Sequence, residues 1–504
     1  MQPLVHGPLT VCKLWADITM DSIWQEIDDP SVIFRLLGPV EERPLHDEDG
    51  VYDSECSFKT LPTLSGWARF DIYRRRIRVL DDVILCTSYR PVINDIAVLQ
   101  PNSMAFLPNL TELSWLHYRD DSWRESVFFM HEGIKRFSLG LELEEPETHE
   151  AILKYFEHIA TRMPHLQSFT LRLYRDNAIA SEAHIGPALS WLLPKLRFLK
   201  VLVLPAMEDM YAVIASTASL PNLETIDAPR NVQLYETLFS ISPPSFHFTF
   251  SCNLQSLSLT ISYSDAATRL LCTEFPTMTK LCLRSYKLES SISTRSLTKA
   301  ISLHCESLRD IELIAVADEL DFPTDERITL ADIQPLFGCR SVVRFRISHV
   351  LPLQLTNNDI ITLLRNWGTV IDLSLNDSPS RLLPPESEPY SDWETLVVVA
   401  EHGRHLEHLG LHLNGFAEIR SHVSMPPPLP KLKQLSVGTS DLPSKMKDVL
   451  GPARFLSRFL TLQCLVHSSY QGLDHTGWNI LSELLESFIR VRMEEQELAR
   501  TRIC

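Results

Sequence analysis

Between Leu110 and Val437 one arrangement recurs twelve times: an apolar residue, two variable ones, a second apolar residue, one variable, a third apolar. Leu166-Gln-Ser-Phe169-Thr-Leu171, Leu254-Gln-Ser-Leu257-Ser-Leu259 and Leu406-Glu-His-Leu409-Gly-Leu411 are examples. The other units open at Leu110, Ile134, Leu196, Leu223, Met278, Leu308, Val342, Val370 and Leu432. The second and third apolar positions alternate with variable ones, the period of a short strand with one buried face. Openings follow one another at 24 to 36 residues, about 29 on average. Between them the spacing becomes helical. Ile152, Tyr155, Phe156 and Ile159 form one stripe, and others fall in Met207 to Ile214, Leu297 to Ile301, Asn358 to Trp367 and Trp393 to Val399.

A unit of this size cannot bury its own apolar side, so the units must stack. Strand then helix at this period predicts an α/β chain folded as a leucine-rich-repeat solenoid, a curved parallel sheet with outer helices. The consensus is loose, since only Asn231 and Asn414 match that repeat's asparagine. Both ends depart from the pattern, as the caps of a stack do. Thr476 to Arg500 reads as a helix carrying Trp478, Leu481, Leu484, Leu485, Phe488 and Ile489 on its apolar side. Gly38 to Gly50 and Asp377 to Pro389, rich in Pro, Glu and Asp, read as exposed loops. Ahead of the repeats, Leu9, Cys12, Trp15 and Ile18 follow a helical stagger, and Ser22-Ile-Trp-Gln25 has the form of a capping box. Asp29 before Pro30 opens a further helix and Gly38-Pro39 closes it.

Val11-Cys-Lys-Leu-Trp15-Ala-Asp-Ile18, followed by Ile23-Trp24-Gln-Glu-Ile27-Asp28, resembles the second half of an F-box. Gly66-Trp67-Ala-Arg-Phe70-Asp-Ile-Tyr73-Arg-Arg-Arg-Ile77-Arg-Val-Leu80 is similar to the segment that follows it in fungal F-box proteins with leucine-rich repeats. Leu107-Pro-Asn-Leu110 and Ser487-Phe-Ile-Arg-Val-Arg-Met-Glu-Glu495 fit the same family, so the resemblance covers nearly the whole chain. It implies the substrate-recognition subunit of an SCF-type cullin ubiquitin ligase. Short helices would dock on a Skp-family adaptor while the repeats hold an unknown protein substrate. Such a subunit is a non-catalytic adaptor without a cofactor, and its contribution is proximity. Trp15, Ile18 and Trp24 carry over as adaptor-facing residues; the alternative is that they pack the helical cap. An F-box opens with a Leu-Pro-x-Glu helix, which Met1 to Pro8 do not contain. Either the recorded start lies downstream of the true one, or the dock is incomplete and the chain is a scaffold that does not engage the ligase. The expected organisation is a partial F-box-like segment over 1–38, a linker and irregular repeat over 39–106, the array over 107–440, and a terminal repeat with helical cap over 441–504.

In a leucine-rich strand the variable residues flanking the apolar ones point to the concave side. The candidates are Lys280, Cys282 and Arg284; Asp310, Glu312 and Ile314; Arg344, Arg346 and Ser348; Asp372, Ser374 and Asn376; and His408, Gly410 and His412. Charge alternates basic, acidic, basic, acidic across the first four strands, so neighbours about 4.8 Å apart can neutralise one another. The sharper reading is a mixed-charge recognition stripe in which Arg344 and Arg346 engage a carboxylate or phosphate.

The remaining composition narrows the partners. With 47 basic and 64 acidic residues the net charge is -17, which disfavours nucleic acid and anionic membrane surfaces. No apolar run approaches the roughly 20 residues of a membrane span, and Met1 to Trp15 lacks a secretory layout. Ten cysteines form no CxxC pair, and Cys252, Cys282, Cys305 and Cys339 fall at or beside repeat cores. They read as buried thiols of an intracellular protein, cytoplasmic or nuclear. His402, His405, His408 and His412 suggest a metal, but the last two would stand roughly 13 Å apart along a strand, too far to grip one ion. His149-Glu150 and His131-Glu132 begin like a zinc-protease helix, yet Leu153 and Lys135 occupy the second histidine's place. There is no phosphate-binding glycine loop before a Lys-Ser/Thr pair and no Gly-x-Ser-x-Gly elbow.

Overall fold

The computed structural model describes residues 13–46, 52–82, 87–99, 105–116, 122–142, 149–174, 179–205, 210–228, 253–271, 274–285, 287–315, 327–379, 391–419, 427–469 and 477–503. Leu9, Cys12, Asn231, Cys252 and most of Asp377 to Pro389 lie outside these residues. The chain divides into two compact units, Met1–Pro244 with Thr249–Asn253, and Ser245–Phe248 with Leu254–Cys504.

In the first unit the strands are β1 (Glu26–Ile27), β2 (Val40–His46), β3 (Tyr52–Phe58), β4 (Val79–Asp82), β5 (Thr87–Ser88), β6 (Glu112–Trp115), β7 (Arg136–Glu142), β8 (Ser168–Tyr174), β9 (Val201–Val203) and β10 (Thr225–Asp227). Its helices include α1 (Lys13–Trp24), α2 (Pro30–Leu37), α3 (Leu64–Arg74), α4 (Arg90–Leu99), α5 (His149–Arg162), α6 (Ile179–Leu192) and α7 (Met210–Ser216). The main sheet runs β1-β4-β6-β7-β8-β9-β10, every pair parallel. A separate sheet, β2-β3-β5, begins with an antiparallel hairpin.

The second unit contains β11 (Ser256–Thr260), β12 (Lys280–Ser285), β13 (Asp310–Ala315), β14 (Arg344–Ser348), β15 (Asp372–Leu375), β16 (His408–Leu411), β17 (Gln434–Gly438) and β18 (Leu465–Ser468), parallel in chain order. The helices α8 (Ser291–His304), α9 (Asn357–Asn366), α10 (Trp393–His402), α11 (Met446–Leu456) and α12 (Gly477–Ile503) connect or follow them. Strand then helix, stacked in sequence order, is the leucine-rich-repeat architecture that the period predicts.

The same local device starts most strands. The amide of the opening apolar residue donates to the carbonyl three residues earlier: Leu110 to Leu107 at 3.1 Å, Leu166 to Met163 at 3.2 Å, Val370 to Trp367 at 3.0 Å and Leu432 to Leu429 at 3.3 Å. Pro108, Pro164, Pro276 and Pro430 occupy the second place of such turns, where a fixed φ suits the chain reversal. In most units one carbonyl of the preceding unit then accepts two successive amides. Lys135 O takes Gln167 N at 2.8 Å and Ser168 N at 3.0 Å, and Thr279 O takes Arg309 N at 2.9 Å and Asp310 N at 3.0 Å. Register is therefore set afresh in each such unit, whatever the length of chain before it.

The apolar triplets face inward: Leu166, Phe169, Leu254, Leu257, Leu308, Ile311 and Leu313 are all buried. Each such side chain contributes about 1.5–3 kcal/mol of burial. One unit starts elsewhere than the pattern suggests. Leu196 is not its opening residue: Ser168 pairs with Val201, so Leu199-Lys-Val-Leu202-Val-Leu204 is the true triplet and Leu196 is the turn residue before it. Both leucines are buried and three apart, which made the two registers look alike.

The amino-terminal region differs from expectation in two places. Ser22 lies in the last turn of α1, so Ser22 to Gln25 caps no helix start. Val40–His46 is a strand rather than a loop, because its backbone pairs with β3 from Val40↔Phe58 to His46↔Tyr52. The helix over Pro30–Leu37 does begin on Asp29, whose carboxylate accepts from Ser31 N at 2.8 Å, and ends at Gly38. Free cysteines 56, 282, 305, 339 and 464 are all buried.

Candidate interaction surface

The in-register pairing of the second unit turns single residues into rows. Lys280, Asp310, Arg344, Asp372 and His408 are successive Cα partners across β12 to β16. Two residues further along, Cys282, Glu312, Arg346, Ser374 and Gly410 form a second row. Arg284, Ile314 and Ser348 form a third. Fifteen candidates were picked from sequence alternation, and the fold brings thirteen of them into these rows.

The alternating charges do meet. Arg344 Nη1 lies 3.5 Å from Asp310 Oδ2. Arg346 grips Asp372 with two donors, Nη2 to Oδ2 at 2.5 Å and Nε to Oδ1 at 3.3 Å. His408 Nδ1 approaches the same carboxylate to 4.0 Å. The two pairs differ in kind. Asp372 is 6% exposed at its side chain, whereas Asp310 is 24% exposed. Hydrogen bonding to Asp372 raises the Arg346 guanidinium above its ordinary range, against the opposing effect of burial. Burial pushes the Cys282 thiol up to about 11, reinforced by the charge of Glu312. Lys280 and Arg284, by contrast, form no ion pair among the described residues.

Two residues expected on this face turn away from it. Asn376 is 1% exposed and adopts φ 53°, a left-handed conformation that asparagine tolerates better than most residues. Its Oδ1 accepts from His349 N at 3.0 Å and its Nδ2 donates to Leu351 O at 2.8 Å. His412 lies past the end of β16, where burial lowers its pKa against the opposing influence of Asp441 and Asp377.

Behind the rows sits a buried polar bracket that sequence reasoning missed. Leu351 N donates to His349 Nδ1 at 3.1 Å, so that nitrogen carries no proton and Nε2 donates to Glu289 O at 2.9 Å. The Glu289 carboxylate accepts from Tyr263 N at 2.8 Å and Ser285 Oγ at 2.5 Å. Glu289 and His349 are 3% and 2% exposed, and burial lowers the His349 pKa. The bracket thus ties the chain after β11, β12, β14 and β15. The local pattern does not mark Glu289, since two of its three partners lie 26 and 60 residues away.

At the amino terminus, Trp15 and Ile18 of α1 are 55% and 57% exposed, and Leu14 beside them is 67% exposed. Leu14 was overlooked, although its i, i+4 spacing to Ile18 places both on one helix face. Trp24 behaves differently: its ring packs on Tyr73 with centroids 4.6 Å apart. Arg76 anchors α1 by donating to Asp17 O at 3.1 Å and by pairing with Asp17 and Asp21. The structure therefore presents Trp15 and Ile18 outward and uses Trp24 to hold α1 against α3.

Among the described residues no group of three or more His, Cys, Asp or Glu could hold a metal ion. His402 ends α10, His405 is in the turn after it, and only His408 lies within β16. No helix among the described residues is long and apolar enough to cross a membrane.

No family model and no curated protein matches this sequence. Among solved structures, a protein from Bacteroides fragilis aligns over 66% of this chain and 75% of its own, with 10% identity and a TM-score of 0.29. A complex of TLR13 with ssRNA13 aligns over 85% of this chain and 66% of the other, with 11% identity and a TM-score of 0.28. At these scores neither likeness bears on fold or function; the repeat architecture rests on strand order and register.

Proposed function

We propose that this chain is a non-catalytic repeat protein that binds a partner protein through the sheet face of its second unit. The observation that carries the reading is the set of charged rows across β12 to β16. They stand on a parallel sheet, and they combine bidentate arginine with Lys280 and Arg284, which form no ion pair among the described residues. Preformed surfaces of this kind lose little entropy on binding.

The finer proposal is a substrate receptor of a cullin-type ubiquitin ligase. The F-box resemblance motivates it, and the exposed Leu14, Trp15 and Ile18 supply an apolar face for a Skp-family adaptor. The packing of Trp24 on Tyr73 favours the second reading, a scaffold without the ligase, because one of three carried-over residues is already engaged.

Purified Skp-family adaptor separates the two. Binding by surface plasmon resonance that weakens at least tenfold in Trp15→Ala/Ile18→Ser, with the thermal midpoint unchanged, supports the receptor. Absence of binding leaves the scaffold. Proteins that accumulate on removal of the chain, and fall again with wild type but not with Lys280→Glu/Arg284→Glu/Arg344→Glu, would be its targets.

A further inference from the structure

The helix that follows the array carries more apolar surface than its own packing uses. Along α12, Trp478, Leu481, Leu485 and Ile489 are buried. Arg492 closes that line by donating to Ser457 O and, at 3.0 Å, to Leu460 O, just past α11. From Met493 to Leu498 every residue is exposed, so α12 continues beyond the part of the unit that it covers.

A second line lies beside the first. Leu484, Phe488, Val491, Glu495 and Leu498 follow one another at four, three, four and three residues, the spacing of a seam between two helices. Leu484 and Phe488 are half-buried, while Val491 and Leu498 are 52% and 58% exposed. The outer face of a capping element is ordinarily polar, because no further unit covers it. Single exposed apolar residues are common on any surface, but a regular seam marks a helical partner. The order of residues along it says which partner. Leu484 and Leu498 each stand seven residues from Val491. In an antiparallel pair of identical helices crossing at Val491, Leu484 of each copy meets Leu498 of the second copy, and Val491 meets its own counterpart. Such a two-fold contact uses one surface twice.

We propose that α12 joins two copies of this chain as an antiparallel helix pair crossing at Val491. The charges beside the seam complement one another in that arrangement. Arg490 lies one residue before the crossing point and Glu494 of the second copy lies three, a difference of two residues, or about 3 Å along the axis. The two-fold symmetry repeats the pair, whereas a parallel arrangement sets the two residues on opposite flanks. Arg490 meets Glu486 within its own helix, but both side chains are more than half exposed, so that pair contributes little and can exchange.

Sedimentation velocity of the full chain tests this. The wild type should pass from monomer to dimer as concentration rises and go no further, since a two-fold contact closes. Val491→Glu should weaken the dimer about tenfold or more, with the thermal midpoint unchanged. Arg490→Glu and Glu494→Arg, each alone, should weaken it about fivefold, and the double variant should return to within about threefold of wild type. Arg490 and Glu494 are exposed, so these variants remain informative even if Val491→Glu does not fold. A wild type that stays monomeric throughout would overturn the proposal and leave the seam to another protein's helix. A dimer that a folded Val491→Glu variant leaves unchanged would also overturn it, as would charge variants that weaken the dimer singly without recovery in the double.

Discussion

At the residue scale, the two arginines of β14 show how one sequence pattern yields unequal energetics. Arg344 meets a carboxylate that water still reaches, and such pairs contribute about 0–1 kcal/mol. Arg346 covers Asp372, which has almost no contact with solvent. Removing that partner strands a buried charge, at a cost of about 1–3 kcal/mol or more. Arg346→Ala should therefore clearly lower the unfolding free energy measured in urea, while Arg344→Ala changes it by less than about 0.5 kcal/mol. Equal effects would mean that Asp372 finds another donor, with His408 the nearest candidate at 4.0 Å. Alternation alone could not separate these cases, because burial of Asp372 arises from the neighbouring strands.

At the scale of elements, strands were legible wherever an apolar triplet survives. β4 and β18 escaped because their triplets are broken. Asp82 stands opposite Trp115, and Ser468 stands two residues after Val466, where in each case a third apolar residue would complete the triplet. The sheet β2-β3-β5 escaped for a different reason: Glu41, Glu42, Arg43 and Pro44 read as a solvated loop, and only pairing with β3 makes them a strand. Helices were legible from their stripes: α5, α8 and α10 each include the predicted stretch, and α9 and α12 include all but one end residue of theirs. The rows of the candidate face were legible from period-two alternation. The diagonal reach of Arg346 to Asp372 and the bracket around Glu289 were not, since they depend on contacts between residues 26 and 60 apart. Close packing of helices was equally invisible. A Cβ at Gly66 would stand 2.0 Å from Leu37 O, so glycine is what lets α3 approach the end of α2. Gly66→Ala should destabilise the first unit by about 1–3 kcal/mol through overpacking. Unfolding followed by Trp67 and Trp24 fluorescence tests this, and a wild-type midpoint would show that the two helices separate at no cost.

At the scale of the whole molecule, stability should carry a distinct pH signature. Burial lowers the pKa of His131, His349 and His412, in both units. Below the ordinary histidine range of about 6.5 the unfolded chain takes up protons that the folded chain refuses. Stability is therefore full above about pH 6.5 and is lost as pH falls toward the depressed folded-state values. The thermal midpoint should drop between pH 7 and pH 5, and drop less in His349→Gln, which cannot charge inside the bracket. An identical pH profile in that variant would assign the loss to the other two histidines.

The doubled amide contact at the head of most strands has a consequence for how this chain can vary. Each such rung takes its alignment from one carbonyl of its neighbour, and the intervening stretch has no say in it. Residues gained or lost between a rung and the next would change the outer contour and leave the order of Lys280, Asp310, Arg344 and Asp372 untouched. Drift in length and retention of a recognition pattern are thereby uncoupled, and relatives with uneven repeats could still present the same array of charge.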